Sequence, residues 1–278
     1  MRRIWSDSIA CCRKTRNATV RETFYCKYAT FSSLNDAKHM FSELPRPSLN
    51  NLNSIIQKYV SSGEYDKALK CFCGLKQTVF FPDKITVFSL LKACISVQSI
   101  LWARLVHVEA LRRRLETEPS LGNMLVHMYV KCNSINDAWS VFERLPHPDI
   151  VSWGTIILGC AIHRHNHGAL HLFDEMQEKG IMPNTVAFLG VLKACMNLGS
   201  LEMIKHSHDQ ITQIGMTRNI VLVSTLIDMY SKSGCLGEAQ YLFDKLLEKN
   251  VVSWSSIISG YLQHGDGVSA LCLYEQMK

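Results

Sequence analysis

The sequence predicts an all-α protein built as a stack of helical hairpins, and three observations predict it. The 278-residue chain repeats itself at an offset of 101 residues, without a gap. Ser152-Trp153 returns as Ser253-Trp254, Ile156-Ile157 as Ile257-Ile258, Ala169-Leu170 as Ala270-Leu271, and Met176 as Met277. Lys92-Ala93-Cys94 returns as Lys193-Ala194-Cys195 and His107 as His208, while Tyr28, Tyr129 and Tyr230 form a triple, as do Ala37, Ala138 and Ala239, and Phe41, Phe142 and Phe243. Within each period, apolar residues recur at helical spacing in pairs of stripes split by polar turns. The apolar share is 47%, with only 15 Gly and 7 Pro, so the chain has material for an ordered interior. A hairpin of two short helices cannot bury its apolar face alone. Stacking the hairpins builds one continuous interior in place of a central core.

Taken in order, residues 1–21 stand apart. They hold Arg2, Arg3, Arg13, Lys14, Arg16 and Arg21 against Asp7, a net of +5 out of +6 for the whole chain. An Arg-rich, Ser-containing, acid-poor start reads as an organelle transit peptide, and the Arg bias leans to the mitochondrion over the chloroplast. The remaining body is nearly neutral. A degenerate unit follows at 18–48, then units at 49–83, 84–118 and 119–149. Unit 150–184 has one stripe of Val151, Ile156, Ile157 and Cys160 beside Trp153, and a polar break from His163 to His167. Its second stripe is Ala169, Leu170, Leu172, Phe173 and Met176, which Gly180 and Pro183 stop. Unit 185–219 opens with Phe188, Val191 and Leu192 and continues through Leu201 and Ile204. Unit 220–250 carries Leu226, Ile227, Met229 and Tyr230, then Ala239, Leu242 and Phe243. The last unit, 251–278, is partial and breaks off inside its second helix. Arrays normally close with a polar cap. A fragment, a truncated gene model or a subunit needing a partner is therefore expected.

Several chemistries find no support. The 11 cysteines are scattered through helical units with no secretory segment before them, so reduced, buried thiols are expected, Cys94 and Cys195 among them. The apolar run Ile150 to Ile162 is too short to span a bilayer. No P-loop, Gly-x-Ser-x-Gly or His-Glu-x-x-His is present. His107-Val108-Glu109 has the first spacing of a zinc deaminase, but no Cys-x-x-Cys exists, and the next period reads His208-Asp209-Gln210. Both histidines read as structural. His163, His165, His167 and His171 are dense, yet a turn separates the His167/His171 pair from His163, and the set does not recur one period on. The expectation is a non-catalytic chain with no metal, cofactor, membrane partner or small-molecule substrate.

Unit lengths of 35, 35 and 31 distinguish this array from a uniform 34-residue one. The segments VVSWSSIISGYLQHGDGVSALCLYEQMK (251–278), TVAFLGVLKACMNLGSLEMIKHSHDQITQIGM (185–216) and IVLVSTLIDMYSKSGCLGEAQYLFDKL (220–246) resemble the P, L and S repeats of the pentatricopeptide repeat (PPR) family, plant PLS subclass. The resemblance covers roughly 18–278 and includes no E or DYW domain. It implies a right-handed superhelical α-solenoid that binds single-stranded organelle RNA at about one base per repeat. In this family the fifth and last residues of a P or S repeat select the base. The resemblance therefore assigns base readout to Asn53 with Asp83 and Asn123 with Asp149, both uracil-preferring, and to Ser224 with Asn250, adenine-preferring. The implied RNA core is 5′-U-n-U-n-n-A-3′. Gly154 leaves Asn184 without a partner. Phe88 with Glu118, Leu189 with Asn219, and Glu22 with Ser48 match no dependable code. The second position, which wedges bases, holds Val151, Val186, Val221 and Val252, although core packing would suit a valine equally; Asn50 and Ser120 depart from it. Lys131 and Lys232 stand where the family contacts phosphate.

The function expected is recognition of an RNA site for processing, foremost C-to-U editing with the deaminase supplied by a partner protein. RNA stabilisation or splicing by occlusion needs the same binding. A protein-binding scaffold and a fragment of a longer editing enzyme are the alternatives of other classes.

Overall fold

The computed structural model describes residues 49–75, 82–112, 115 and 118–277. The leader 1–21 and the unit 18–48, with Glu22 and Ser48, lie outside the described residues. These described residues form fourteen α-helices and a 3-10 turn at Met216–Arg218, with no strand among them.

The chain divides into two compact units, up to Glu109 and from Ala110 onward. The first contains α1 (Leu49–Ser61), α2 (Tyr65–Leu75), α3 (Lys84–Val97) and most of α4 (Ile100–Arg112). Here α2 packs against both α1 and α3, and α1 packs on α3. The second contains α5 (Pro119–Lys131), α6 (Ile135–Phe142), α7 (Ile150–Ile162), α8 (Asn166–Glu178), α9 (Thr185–Leu198), α10 (Leu201–Gln213), α11 (Ile220–Lys232), α12 (Leu236–Lys245), α13 (Val251–Gln263) and α14 (Gly267–Met277). The first helices α5, α7, α9, α11 and α13 stack in sequence, and each second helix packs behind its own partner.

Local chemistry explains where the first helices start. Asp83, Asp149, Asn184, Asn219 and Asn250 each stand just before one, and their side-chain oxygens accept the free backbone N–H groups of its first turn. Such a cap contributes about 1 kcal/mol. Pro119 opens α5, where its missing N–H costs nothing. At the end of α9 the chain turns through Gly199 at φ 68, a left-handed conformation that suits a residue without Cβ.

The predicted stripes are buried except at Leu170 and Leu201, which are half-buried, and at Val151. Trp153, Ile156, Ile157 and Cys160 line the interior, as do Ala169, Leu172, Phe173 and Met176. Val151 does not join them; it faces outward, because the second helical residue is turned from the face that carries Trp153 and Ile156. Phe142 meets Trp153 edge-on at 4.8 Å, and one period later Phe243 meets Trp254 at 4.7 Å. Burial pushes the Cys160 thiol up to about 12 and Cys71 up to about 11, so both stay protonated and act as small hydrophobes. Cys94 and Cys195 are buried as well.

Two devices set the spacing of the first helices. One is close approach: a Cβ on Gly190 of α9 would stand 2.7 Å from the Leu158 nitrogen of α7, and one on Gly260 of α13 would stand 2.5 Å from Ser231 Cβ of α11. The other is a clamp at the helix ends. His163 Nε2 lies 2.9 Å from the Val130 carbonyl oxygen, and its period mate His264 lies 2.9 Å from that of Ser231. His163 thus has a structural partner in the preceding hairpin. His208 pairs with the Tyr230 hydroxyl at 3.1 Å, a structural use that fits its sequence reading. No helix among the described residues is long and apolar enough to cross a membrane.

Candidate nucleic-acid interface

At the junctions that follow units 119–149, 150–184 and 220–250, the residue that caps the next first helix also lies beside the fifth residue of the hairpin before it. Asn123 Nδ2 donates to Asp149 Oδ2 at 2.8 Å, while Asp149 Oδ1 accepts from the Val151 and Ser152 N–H groups at 3.0 and 2.9 Å. Asn250 caps α13 through Ser253 N–H at 2.8 Å and accepts the Ser224 hydroxyl at 3.4 Å. Ser224 itself is only 2% exposed, so Asn250 is the member of this pair that meets solvent. Asn53 and Asp83 are joined indirectly: Thr86 donates its hydroxyl to Asn53 Oδ1 at 2.8 Å and its N–H to Asp83 Oδ1 at 2.7 Å.

Asn184 and Asn219 also cap first helices and reach back to the hairpin before them. A Cβ at Gly154 would meet Asn184 Oδ1 at 2.9 Å, so Asn184 fills the space a fifth side chain would need. Its amide donates to the Ile150 carbonyl at 3.3 Å. Asn219 donates to Thr185 Oγ1 at 2.8 Å.

Two residues after each of these caps stands an exposed aliphatic side chain. Val151, Val186, Val221 and Val252 are 53%, 38%, 49% and 56% exposed. Their exposure sets these valines apart from the buried stripes. Ile85, 63% exposed, occupies the same register after Asp83 and was missed in the sequence reading. The signal was present, since Ile85 is the second residue of unit 84–118. Burying such a side chain against a ligand would contribute up to about 2 kcal/mol. Lys131 is exposed at the end of α5. Lys232 is also exposed and pairs with Asp228 at 2.7 Å, a carboxylate that competes with a phosphate for its ammonium.

Asp149 has a depressed carboxyl. Burial pushes it up, but the Ser152 N–H, the Asn123 amide, the Ser152 hydroxyl and the Val151 N–H together outweigh that and hold it below the usual carboxylate range. A group depressed in the fold stabilises above its unfolded value and loses that contribution as pH falls through the folded one. The native protein should therefore lose stability relative to Asp149→Asn as pH drops below about 4. Unfolding midpoints measured for both across that range check this; parallel curves would show that Asp149 contributes no such linkage.

Fold and site together define a helical-hairpin repeat protein whose exposed polar and aliphatic residues keep the period of its repeats. Four of its stretches match PPR repeats. The PPR repeat family matches residues 148–197, and the PPR repeat matches residues 52–77, 221–251 and 252–278. The Arabidopsis thaliana pentatricopeptide repeat-containing protein At4g18520, chloroplastic, is 33% identical over 251 residues, which are 90% of this chain and 41% of that protein. The putative pentatricopeptide repeat-containing protein At3g05240 of Arabidopsis thaliana is 33% identical over 253 residues, covering 88% of this chain and 45% of the relative. The Arabidopsis thaliana protein At2g03380, mitochondrial, is 31% identical over 252 residues, covering 90% and 36%. The chain thus spans less than half the length of these relatives. Among solved structures, the pentatricopeptide repeat protein PPR10 in complex with an 18-nt psaJ RNA element aligns with a TM-score of 0.69 at 19% identity, over 95% of this chain and 40% of that one. That likeness establishes the same α-solenoid fold.

Proposed function

We propose that this chain binds single-stranded RNA in a plant organelle and reads bases at its repeat junctions. One observation carries the reading: a polar pair, formed by the fifth and last residues of a repeat, stands beside an exposed aliphatic residue two positions further on. A base laid against the aliphatic side chain turns its Watson–Crick edge to the polar pair. An unpaired strand supplies such edges in succession, whereas a duplex hides them. The PPR10 structure, solved with RNA, supports this use of the fold. Relatives named chloroplastic and mitochondrial support an organelle, and the Arg-rich start favours the mitochondrion.

Asn53 with Asp83, Asn123 with Asp149, and Ser224 with Asn250 supply the base contacts in this proposal, in chain order 5′-U-n-U-n-n-A-3′. Val151, Val186, Val221 and Val252 are the wedges, joined by Ile85. Lys131 and Lys232 contact phosphates. The alternation of 35, 35 and 31 residues resembles that of the plant PLS subclass, and this resemblance implies a role in choosing a cytidine for C-to-U editing, with recognition in this chain and the deaminase in a partner protein.

The test is a titration of residues 22–278 at fixed salt on two single-stranded RNAs. One carries U, U and A at the read positions, the other A, A and G. Affinity for the first should be at least about tenfold higher, since a good base contact discriminates by about 1–3 kcal/mol. Equal affinity would reject base readout.

A further inference from the structure

The two Asn/Asp pairs are identical in sequence but are wired in opposite senses. We infer that Thr86 is a positioning residue that turns Asn53 into a hydrogen-bond donor toward the base, so that the first pair accepts cytosine as readily as uracil while the second holds to uracil. This inference rests on the base-readout reading above.

At the second pair, the Asn123 nitrogen donates to Asp149 Oδ2 at 2.8 Å. With its nitrogen fixed on the carboxylate, the amide leaves its oxygen free as an acceptor. Ser152, the third residue of the following hairpin, turns its hydroxyl back to the Asp149 carbonyl at 2.8 Å and does not touch Asn123. At the third pair Ser253 behaves likewise, donating to the Asn250 carbonyl at 2.9 Å.

The first pair departs from this plan. Asn53 makes no hydrogen bond to Asp83. Its oxygen accepts the Thr86 hydroxyl at 2.8 Å, across 33 residues of sequence. A third side chain agrees with the direction of that bond. Gln57 Nε2 donates to Thr86 Oγ1 at 3.3 Å, and a hydroxyl that accepts from Gln57 has its one hydrogen left for Asn53. Thr86 is completely buried, and its backbone is held by the Asp83 cap. Asn53 thus keeps both amide hydrogens and spends its oxygen on the protein.

The chemistry of the two pyrimidines turns this difference into specificity. Uracil presents an N3–H donor between two carbonyl acceptors. Cytosine presents N3 as an acceptor between its O2 and its amino group. The free oxygen of Asn123 accepts the uracil N3–H and faces a lone pair on cytosine. The free N–H groups of Asn53 find an acceptor on either base: O2 on both, O4 on uracil, N3 on cytosine. Among the hairpins that follow a readout pair, Thr86 is the third residue that reaches back to the fifth residue of its neighbour.

The experiment uses single-stranded RNAs that differ only by U or C at the base facing unit 49–83, or only at the base facing unit 119–149. Each is titrated against the native protein, Thr86→Val and Thr86→Ser. For the native protein we expect U and C within about threefold at the first position, and U favoured by about tenfold at the second. Thr86→Val removes the hydroxyl at nearly constant volume and frees Asn53 to turn to Asp83. It should raise the U preference at the first position by at least about fivefold and leave the second unchanged. Thr86→Ser keeps the hydroxyl and should keep the native ratio, which a merely structural role for Thr86 would not require. Equal U preference at both positions of the native protein overturns the inference. So does an unchanged ratio in a Thr86→Val protein whose circular dichroism shows it folded. If neither position separates U from C, the acceptor role of Asn123 fails and the inference falls with it, while base readout itself is decided by the U, U, A against A, A, G comparison above. If only the first fails to respond to Thr86, readout stands and the inference alone is lost.

Discussion

Replacing Gly190 by alanine should cost the array about 3 kcal/mol, the upper range for forcing extra volume into a packed interior. The added Cβ would lie 2.7 Å from the Leu158 nitrogen, 2.8 Å from Leu158 Cα and 2.8 Å from Ile157 Cγ2. Two of these atoms are backbone, so no side-chain rotation relieves the clash. Helices α7 and α9 must move apart along their contact. Repeat arrays need not unfold in one step, so a single global midpoint would blur the effect. Hydrogen exchange resolves it: amide protection in α7 and α9 should fall, with α13 affected least. Gly237→Ala is the control, since a Cβ there meets nothing within 4 Å. Uniform protection in Gly190→Ala would show that close approach does not set the helix spacing. The same spacing separates Val151 from Val186, so Gly190→Ala should also weaken RNA binding.

The second large effect falls on binding and spares the fold. Val186→Asp together with Val221→Asp should lower RNA affinity by at least about tenfold, from lost apolar contact and from repulsion of phosphate. Both residues are the second of their helices, α9 and α11, and both are exposed. An aspartate there complements the positive end of the helix dipole by about 0.3–1 kcal/mol. Thermal stability should therefore hold or rise while affinity drops. A loss of stability without a loss of affinity would assign these valines to packing.

The all-α fold was legible because the 101-residue echo and the helical stripes of Trp153, Ile156, Ile157, Phe173 and Met176 report the same burial twice. The caps went unread: Asp or Asn precedes an apolar run at 83, 149, 184, 219 and 250, but these residues were weighed only for base contact. Which apolar residues turn outward was less legible than the fold. A helix of high apolar content such as α7 hides the face on which one residue lies, so Val151 entered the inward stripe. Ile85 went unnoticed for the opposite reason: only its register marks it, and Asn50 and Ser120 break that register on either side. The bonds within each pair could not be read at all. Asn53/Asp83 and Asn123/Asp149 are the same letters, and the hydroxyl that separates them belongs to Thr86, in the next hairpin. Gly190 and the His163 clamp were equally silent, because each acts through a neighbour about 30 residues away.

Base readout is tested most directly with Asn53→Ala plus Asn123→Ala, titrated on the two RNAs that differ at the three read positions. The account predicts that the double variant stays folded, keeps binding single-stranded RNA, and loses the discrimination of about tenfold or more shown by the native chain. A variant that discriminates as well as the native protein would contradict it, and the recognition would then lie elsewhere than in the repeat junctions.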